Sequence, residues 1–109
     1  MADERTSGKD KTVVVIDEDL RDLIPGYLEN RRHDVAAILA ALERGDFETI
    51  RSLSHMMKGS GGGYGFDEIT AIGRACEEAS KLSRAGEVRQ QMNRLADYLE
   101  RVEVVYRPS

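Results

Sequence analysis

Three short glycine-containing turns, Gly45-Asp46, Gly65-Phe66 and Ala85-Gly86, divide the chain, and the stretches between them repeat apolar residues at helical spacing. An advance of about 100° per residue gathers such residues on one stripe of a helix and leaves the rest of its surface polar. From Pro25 to Arg44 the stripe is Leu28, Val35, Ile38, Leu39 and Leu42. Pro25 suits a first helical position and Gly45 the residue past the end. Asp46 is placed to cap a second helix with Phe47, Ile50, Leu53, Met57 and Tyr64 facing inward, and Gly65 to stop it. Asp67 is read as the cap of a third, whose stripe is Ile69, Ile72, Cys76 and Ala79. Gly73 and Ser80 beside that stripe imply close approach to a neighbour, and Gly86 is read as its end. The fourth is expected from about Glu87 to Tyr106, with Val88, Met92, Leu95, Leu99, Val102 and Tyr106 at spacings of four and three. Four such helices on short turns fold most simply as an all-α, antiparallel up-down-up-down four-helix bundle.

The residues ahead of the bundle behave differently. Met1 to Lys11 is charged and aperiodic, which predicts a frayed end. Thr12 to Ile16 is β-branched and suits an extended conformation, but one strand has nothing to pair with in a helical protein. It is therefore expected to pack across an end of the bundle. Asp17 or Asp19 can cap a short turn holding Leu20, Leu23 and Ile24, with a break at Pro25. The expected organisation is a short N-terminal extension, residues 1–16, flexible or extended, followed by one bundle domain over 17–109.

Composition narrows the function classes. Aromatic residues make up only 6% of the chain, so the core must come from Leu, Ile, Val, Met and Ala. The net charge is −4 with both signs interspersed, which argues against a nucleic-acid partner. Cys76 is the only cysteine, which excludes an intramolecular disulfide and suits a reducing compartment. Val13 to Ile16, the longest strongly apolar run, is far too short to span a membrane. A cytoplasmic protein without a membrane partner is expected.

Helical phase singles out His55. The inward set Ile50, Leu53, Met57 and Tyr64 lies on one side of the second helix, and His55 falls roughly 160° from its centre at about 100° per residue. Its strip also carries Glu48, Arg51, Ser52, Lys58, Gly59 and Gly62. A glycine within a helix costs about 1 kcal/mol relative to alanine, so Gly59, Gly61, Gly62 and Gly63 together need a reason. On the His55 face, Gly59 and Gly62 leave clearance for a docking partner; Gly61 faces the core, where close backbone approach explains it equally well. The run does not match a phosphate-cradling loop, because Lys58 precedes the glycines and no strand leads in. Lys58, one turn past His55, places an ammonium where it can stabilise a phosphoryl group carried on the imidazole.

His55-Met-Met-Lys58-Gly59-Ser60, with Gly65 ten residues after the histidine, resembles the H-x-x-K-G-[SA] signature of histidine-containing phosphotransfer (HPt) domains, found in bacterial and eukaryotic phosphorelays. The lead-in Ala41-Leu-Glu-Arg-Gly-Asp-Phe47 is also similar to that family, and the resemblance covers Pro25 to Tyr106. It implies a phosphocarrier, not an enzyme with kinase activity. His55 would accept a phosphoryl group at Nε2 from a receiver aspartate or a kinase and pass it to a response-regulator receiver aspartate. Lys58 would stabilise the group, and Arg51, Ser52, Gly59 and Gly62 would form the partner-binding surface. The partners implied are a response-regulator receiver domain, a hybrid histidine kinase, or both; no cofactor or metal is expected on this chain, Mg²⁺ being expected on the receiver. The family often places a polar residue on its third helix against Nδ1 of the histidine. That position falls at Glu77, with Glu78 competing if the register slips by one.

A different class of reading is a helical docking module that regulates a receiver or kinase without carrying phosphate. Docking alone requires neither His55 nor Lys58. A metal site has little support, since His33 and His55 lie on different helices and neither has a second ligand at the usual i,i+4 helical spacing in a metal-site pattern. His33, between Arg32 and Asp34, reads as a surface residue, and Cys76 as buried and inert. A monomer is expected.

Overall fold

The computed structural model describes residues 11–109, so the frayed end expected over Met1 to Lys11 lies, apart from Lys11, outside the described residues. Strand β1 (Thr12–Asp17) leads into a 3₁₀ turn (Glu18–Leu23), then α1 (Ile24–Glu43), α2 (Phe47–Tyr64), α3 (Asp67–Lys81), α4 (Ala85–Arg101) and strand β2 (Val102–Arg107). The four helices pack around one core that includes Ile38, Ile50, Met57, Ile69, Ile72, Cys76, Met92, Leu95 and Tyr98. Among the described residues no helix is long and apolar enough to cross a membrane.

The turns follow the local chemistry at most junctions. Asp17 Oδ1 accepts the Asp19 N–H at 2.8 Å and caps the 3₁₀ turn, and Pro25 occupies the first turn of α1, where its missing N–H is no loss. Gly45 takes a left-handed φ of +67° after α1. Asp46 then accepts the Thr49 N–H at 3.1 Å and its hydroxyl at 2.7 Å, fixing the start of α2. Gly65, at φ +93°, ends α2, and the Phe66 N–H reaches back to the Gly61 carbonyl at 2.8 Å.

Three expectations need correction. Phe66, not Asp67, takes the cap position of α3; its side chain is buried, and Asp67 lies in the first turn, where a carboxylate complements the helix dipole. Gly86 does not end α3. That helix stops at Lys81, the left-handed residue is Ser83 (φ +54°), and Gly86 lies in the first turn of α4.

The third correction concerns both ends of the chain. The fourth helix stops at Arg101, and Val102–Arg107 is a strand paired in parallel with β1, from Thr12 opposite Val102 to Asp17 opposite Arg107. The N-terminal strand thus has a partner, supplied from the far end of the chain, and the whole bundle is the crossover that a parallel pair requires. Val14, Ile16, Val104 and Tyr106 face the core, whereas Val13, Val15, Glu103 and Val105 face outward. Ile16 is only 2% exposed, and the sheet closes the end of the bundle near Gly65, against which Ile16 packs.

Closeness of α2 and α3 positions the site. A Cβ on Gly61 would lie 2.6 Å from Thr70 Oγ1 and 2.9 Å from the Phe66 carbonyl, so the backbones are nearly in contact there. One turn earlier on α2, Gly73 permits the same approach to Lys58 and Ser54. The Thr70 hydroxyl donates to the Lys58 carbonyl at 3.2 Å, tying the two helices beside the glycine run.

Candidate functional site

Gly73 lets α3 lie against the backbone turn that carries His55, and Glu77 follows one turn later on α3. Its side chain is therefore delivered under the imidazole. His55 keeps 64% of its side chain exposed, while Glu77 keeps only 7%. The His55 Nδ1 and Glu77 Oε2 are 3.1 Å apart, and Lys58 Nζ lies 2.8 Å from the other carboxylate oxygen, Oε1. Lys81, one turn beyond Glu77, brings a second ammonium to 4.0 Å from Oε2.

The electrostatics follow from this arrangement. The Lys58 hydrogen bond, the largest cause, holds the Glu77 carboxyl below the usual glutamate value; burial opposes it, and the His55 hydrogen bond adds to it. An ionised carboxylate only accepts, so the ring must donate from Nδ1, and the neutral imidazole carries its lone pair on Nε2. That nitrogen has no partner among the described residues. The arrangement is an exposed imidazole whose Nδ1 faces a nearly buried anion, with a cation one helical turn away.

The residues expected from sequence separate into two groups. His55, Lys58 and Glu77 are brought together, and Glu77 is the glutamate in contact; Glu78 is exposed, 3.7 Å from Lys81. Gly59 and Gly62 are exposed, with open space where a side chain would start at Gly59. Ser52 is exposed, and Arg51 pairs with Glu48 at 3.0 Å one turn before His55, in a groove shared with Phe47, Ser80 and Lys81. His33 lies at the surface, 3.5 Å from Glu29, and the Cys76 thiol is buried, which pushes its pKa up.

Two contributions were not marked from sequence, the place of Lys81 and the contacts of Ser60. Lys81 stands four residues after Glu77, the spacing at which helical glutamate and lysine meet, and that pattern was available. Ser60 accepts from Arg31 at 3.0 Å and lies 3.2 Å from the Tyr27 hydroxyl, which ties α1 to the turn after Lys58; no local pattern predicts that contact.

A helical bundle presenting an exposed, carboxylate-anchored imidazole beside a lysine defines a candidate phosphotransfer module. The family model for the Hpt domain matches residues 22–104, most of the chain, and the protein belongs to this family. Hpt domains are phosphocarrier modules of two-component signalling, not kinases. Comparison of the chain with curated proteins and with solved structures gives no match.

Proposed function

We propose that the chain is a phosphorelay intermediate in which His55 takes a phosphoryl group from a receiver aspartate or a kinase and yields it to a response-regulator receiver aspartate. The observation that carries the reading is the His55–Glu77 contact, which occupies Nδ1 and leaves Nε2 facing outward. In the accepting step, the Nε2 lone pair forms a bond to phosphorus as the phosphorus–oxygen bond of the aspartyl phosphate breaks. The aspartate leaves as a carboxylate, and the Nδ1 proton stays on the ring, held by Glu77. The reverse sequence discharges the group onto the next aspartate.

Catalysis on this chain is then positioning and charge stabilisation. Lys58 can exchange its Glu77 contact for the arriving phosphoryl oxygens, and Glu77 retains His55 and the nearby Lys81. Gly59 and Gly62 leave room for the receiver, with Arg51 and Ser52 on the preceding turn as further contacts. Mg²⁺ belongs to the receiver in this reading, and the chain has no kinase activity of its own. A cytoplasmic location and a hybrid histidine kinase upstream fit the same role. The contacts of Gly61 with Thr70 and of His55 with Glu77 run in opposite directions along α2 and α3, which supports the up-down-up-down order.

Incubation with a phosphorylated receiver is the test. The expected product is an acid-labile, base-stable phosphate on His55 that His55→Gln abolishes. A label that is absent, or that survives the substitution, defeats the proposal. Receiver binding without labelling, unchanged in His55→Ala, would instead support the docking module.

A further inference from the structure

Among the described residues the sheet has two strands, so the outer edge of β2 has no strand neighbour. Such an edge offers unpaired backbone N–H and C=O groups to another strand. Val105 is 45% exposed, and Glu103 and Arg107, two residues to either side on the same outward face, are exposed as well. Neither charge has an ion-pair or hydrogen-bond partner among the described residues. Antiparallel pairing of this edge with itself, centred on Val105, sets Glu103 of each copy opposite Arg107 of the other. Val105 then faces its own equivalent, and Val104 faces Tyr106. Opposite charges directly across an antiparallel pair stabilise it, so the edge is complementary to a second copy of itself.

The other edge fits less well. Self-pairing of β1 about Val14 would match Lys11 with Asp17, but the Asp17 carboxylate is already engaged by the Asp19 N–H at 2.8 Å. We propose that two copies of the chain associate through their β2 edges into a four-stranded sheet, with a two-fold axis at Val105. This replaces the monomer expected from sequence and does not depend on the phosphotransfer reading. It is also compatible with that reading. The sheet packs near Gly65, ten residues from His55 along α2, or about 15 Å at the helical rise.

Sedimentation equilibrium of the full chain tests the proposal. The wild-type mass should rise with concentration from one chain to two. Arg107→Glu and Glu103→Arg, each checked for native helicity by circular dichroism, should each weaken dimerisation on the order of 10-fold or more, since two attractive pairs become repulsive. The double variant restores opposite charges and should dimerise like the wild type. Val105→Cys should form an interchain disulfide on oxidation, Cys76 being buried. Val13→Cys should not, because the two β1 strands would stand three strand spacings, about 14 Å, apart. One chain mass at every concentration, single-charge variants that dimerise normally, a double variant as weak as the singles, or Val13→Cys cross-linking as readily as Val105→Cys would each overturn it.

Discussion

Gly73→Ala should loosen the fold and the site together, whereas the same change at Gly59 should firm the fold. A Cβ at Gly73 would lie 2.7 Å from the Lys58 nitrogen, 2.9 Å from its Cα and 3.0 Å from the Ser54 carbonyl oxygen. Carbon contacts are comfortable near about 3.5–4.0 Å, and all three neighbours are backbone, so no side-chain rotation relieves the overlap. The helices α2 and α3 must part by several tenths of an ångström to about 1 Å. Overpacking of that kind costs about 1–3 kcal/mol, against which alanine returns up to about 1 kcal/mol of helix propensity. The net loss of about 1–2 kcal/mol corresponds to a fall in Tm of roughly 5–15 °C for a domain of this size. Gly59 has nothing within 4 Å, so Gly59→Ala keeps only the propensity gain, roughly 0.5–1 kcal/mol of added stability.

The two variants also separate stability from function. Parting α2 from α3 at Gly73 lengthens the 3.1 Å contact between His55 and Glu77, so phosphoryl acceptance should fall together with Tm. The new methyl at Gly59 stands on the exposed side of α2, where the proposed receiver docks, so acceptance should slow although Tm rises. Thermal melts and labelling by a phosphorylated receiver read both effects. A Gly73→Ala protein at least as stable as the wild type, or a Gly59→Ala protein less stable, would refute the packing reasoning.

Other expectations concern charge and the sheet. Glu77→Gln keeps the shape but loses the ion pair with Lys58, and should slow His55 labelling on the order of ten-fold, about 1.4 kcal/mol in the barrier; an unchanged rate counts against a role for the carboxylate. Because the folded-state pKa of Glu77 is depressed, chiefly by the Lys58 hydrogen bond, its contribution is complete above the usual value of 4.5 and lost as pH falls through the folded value. Urea melts below about pH 4.5 should accordingly show the stability difference between wild type and Glu77→Gln shrinking; a constant difference contradicts this. Burial, reinforced by Glu68, pushes the Tyr98 phenol up to about 12, so ultraviolet titration should show a phenol ionising above the usual tyrosine value of about 10, and Tyr98→Phe should remove that late step. Ile16→Ala should cost about 2–5 kcal/mol by urea melts, as for a core isoleucine; a loose N-terminal segment would give almost no change.

Helices and their inward faces were largely legible because each carries a long apolar repeat, and one residue moves the phase by a large angle. That is why His55 could be placed opposite the core without coordinates. The end of α4 was not legible for a specific reason. Val102 and Tyr106 are four residues apart, a spacing that keeps two side chains together on a helix and also on a strand, where every second residue shares a face. Val102, Val104 and Val105 favour the strand, but the strand is secured only by β1, whose residues lie at the opposite end of the chain. Pairing over that separation leaves no local mark. The end of α3 misled in another way: glycine is the usual left-handed residue, yet Ser83 takes that conformation and Gly86 does not.

The site was legible to the extent that it depends on phase, and obscure where it depends on distance between helices. Glu77 belongs under His55 only if α3 lies close enough to α2, and Gly73 settles that spacing. The neighbouring Glu78 carries the same chemistry, but a step of about 100° around α3 turns it outward to Lys81. A one-residue shift of α3 relative to α2 would move the anchoring carboxylate away from the imidazole while leaving the H-x-x-K-G pattern of α2 untouched. Hydrogen bonding at Nδ1 is therefore a property of the α2–α3 interface, held by Gly73, Gly61 and Thr70, and substitutions at those three positions should change His55 reactivity without altering His55, Lys58 or Glu77 themselves.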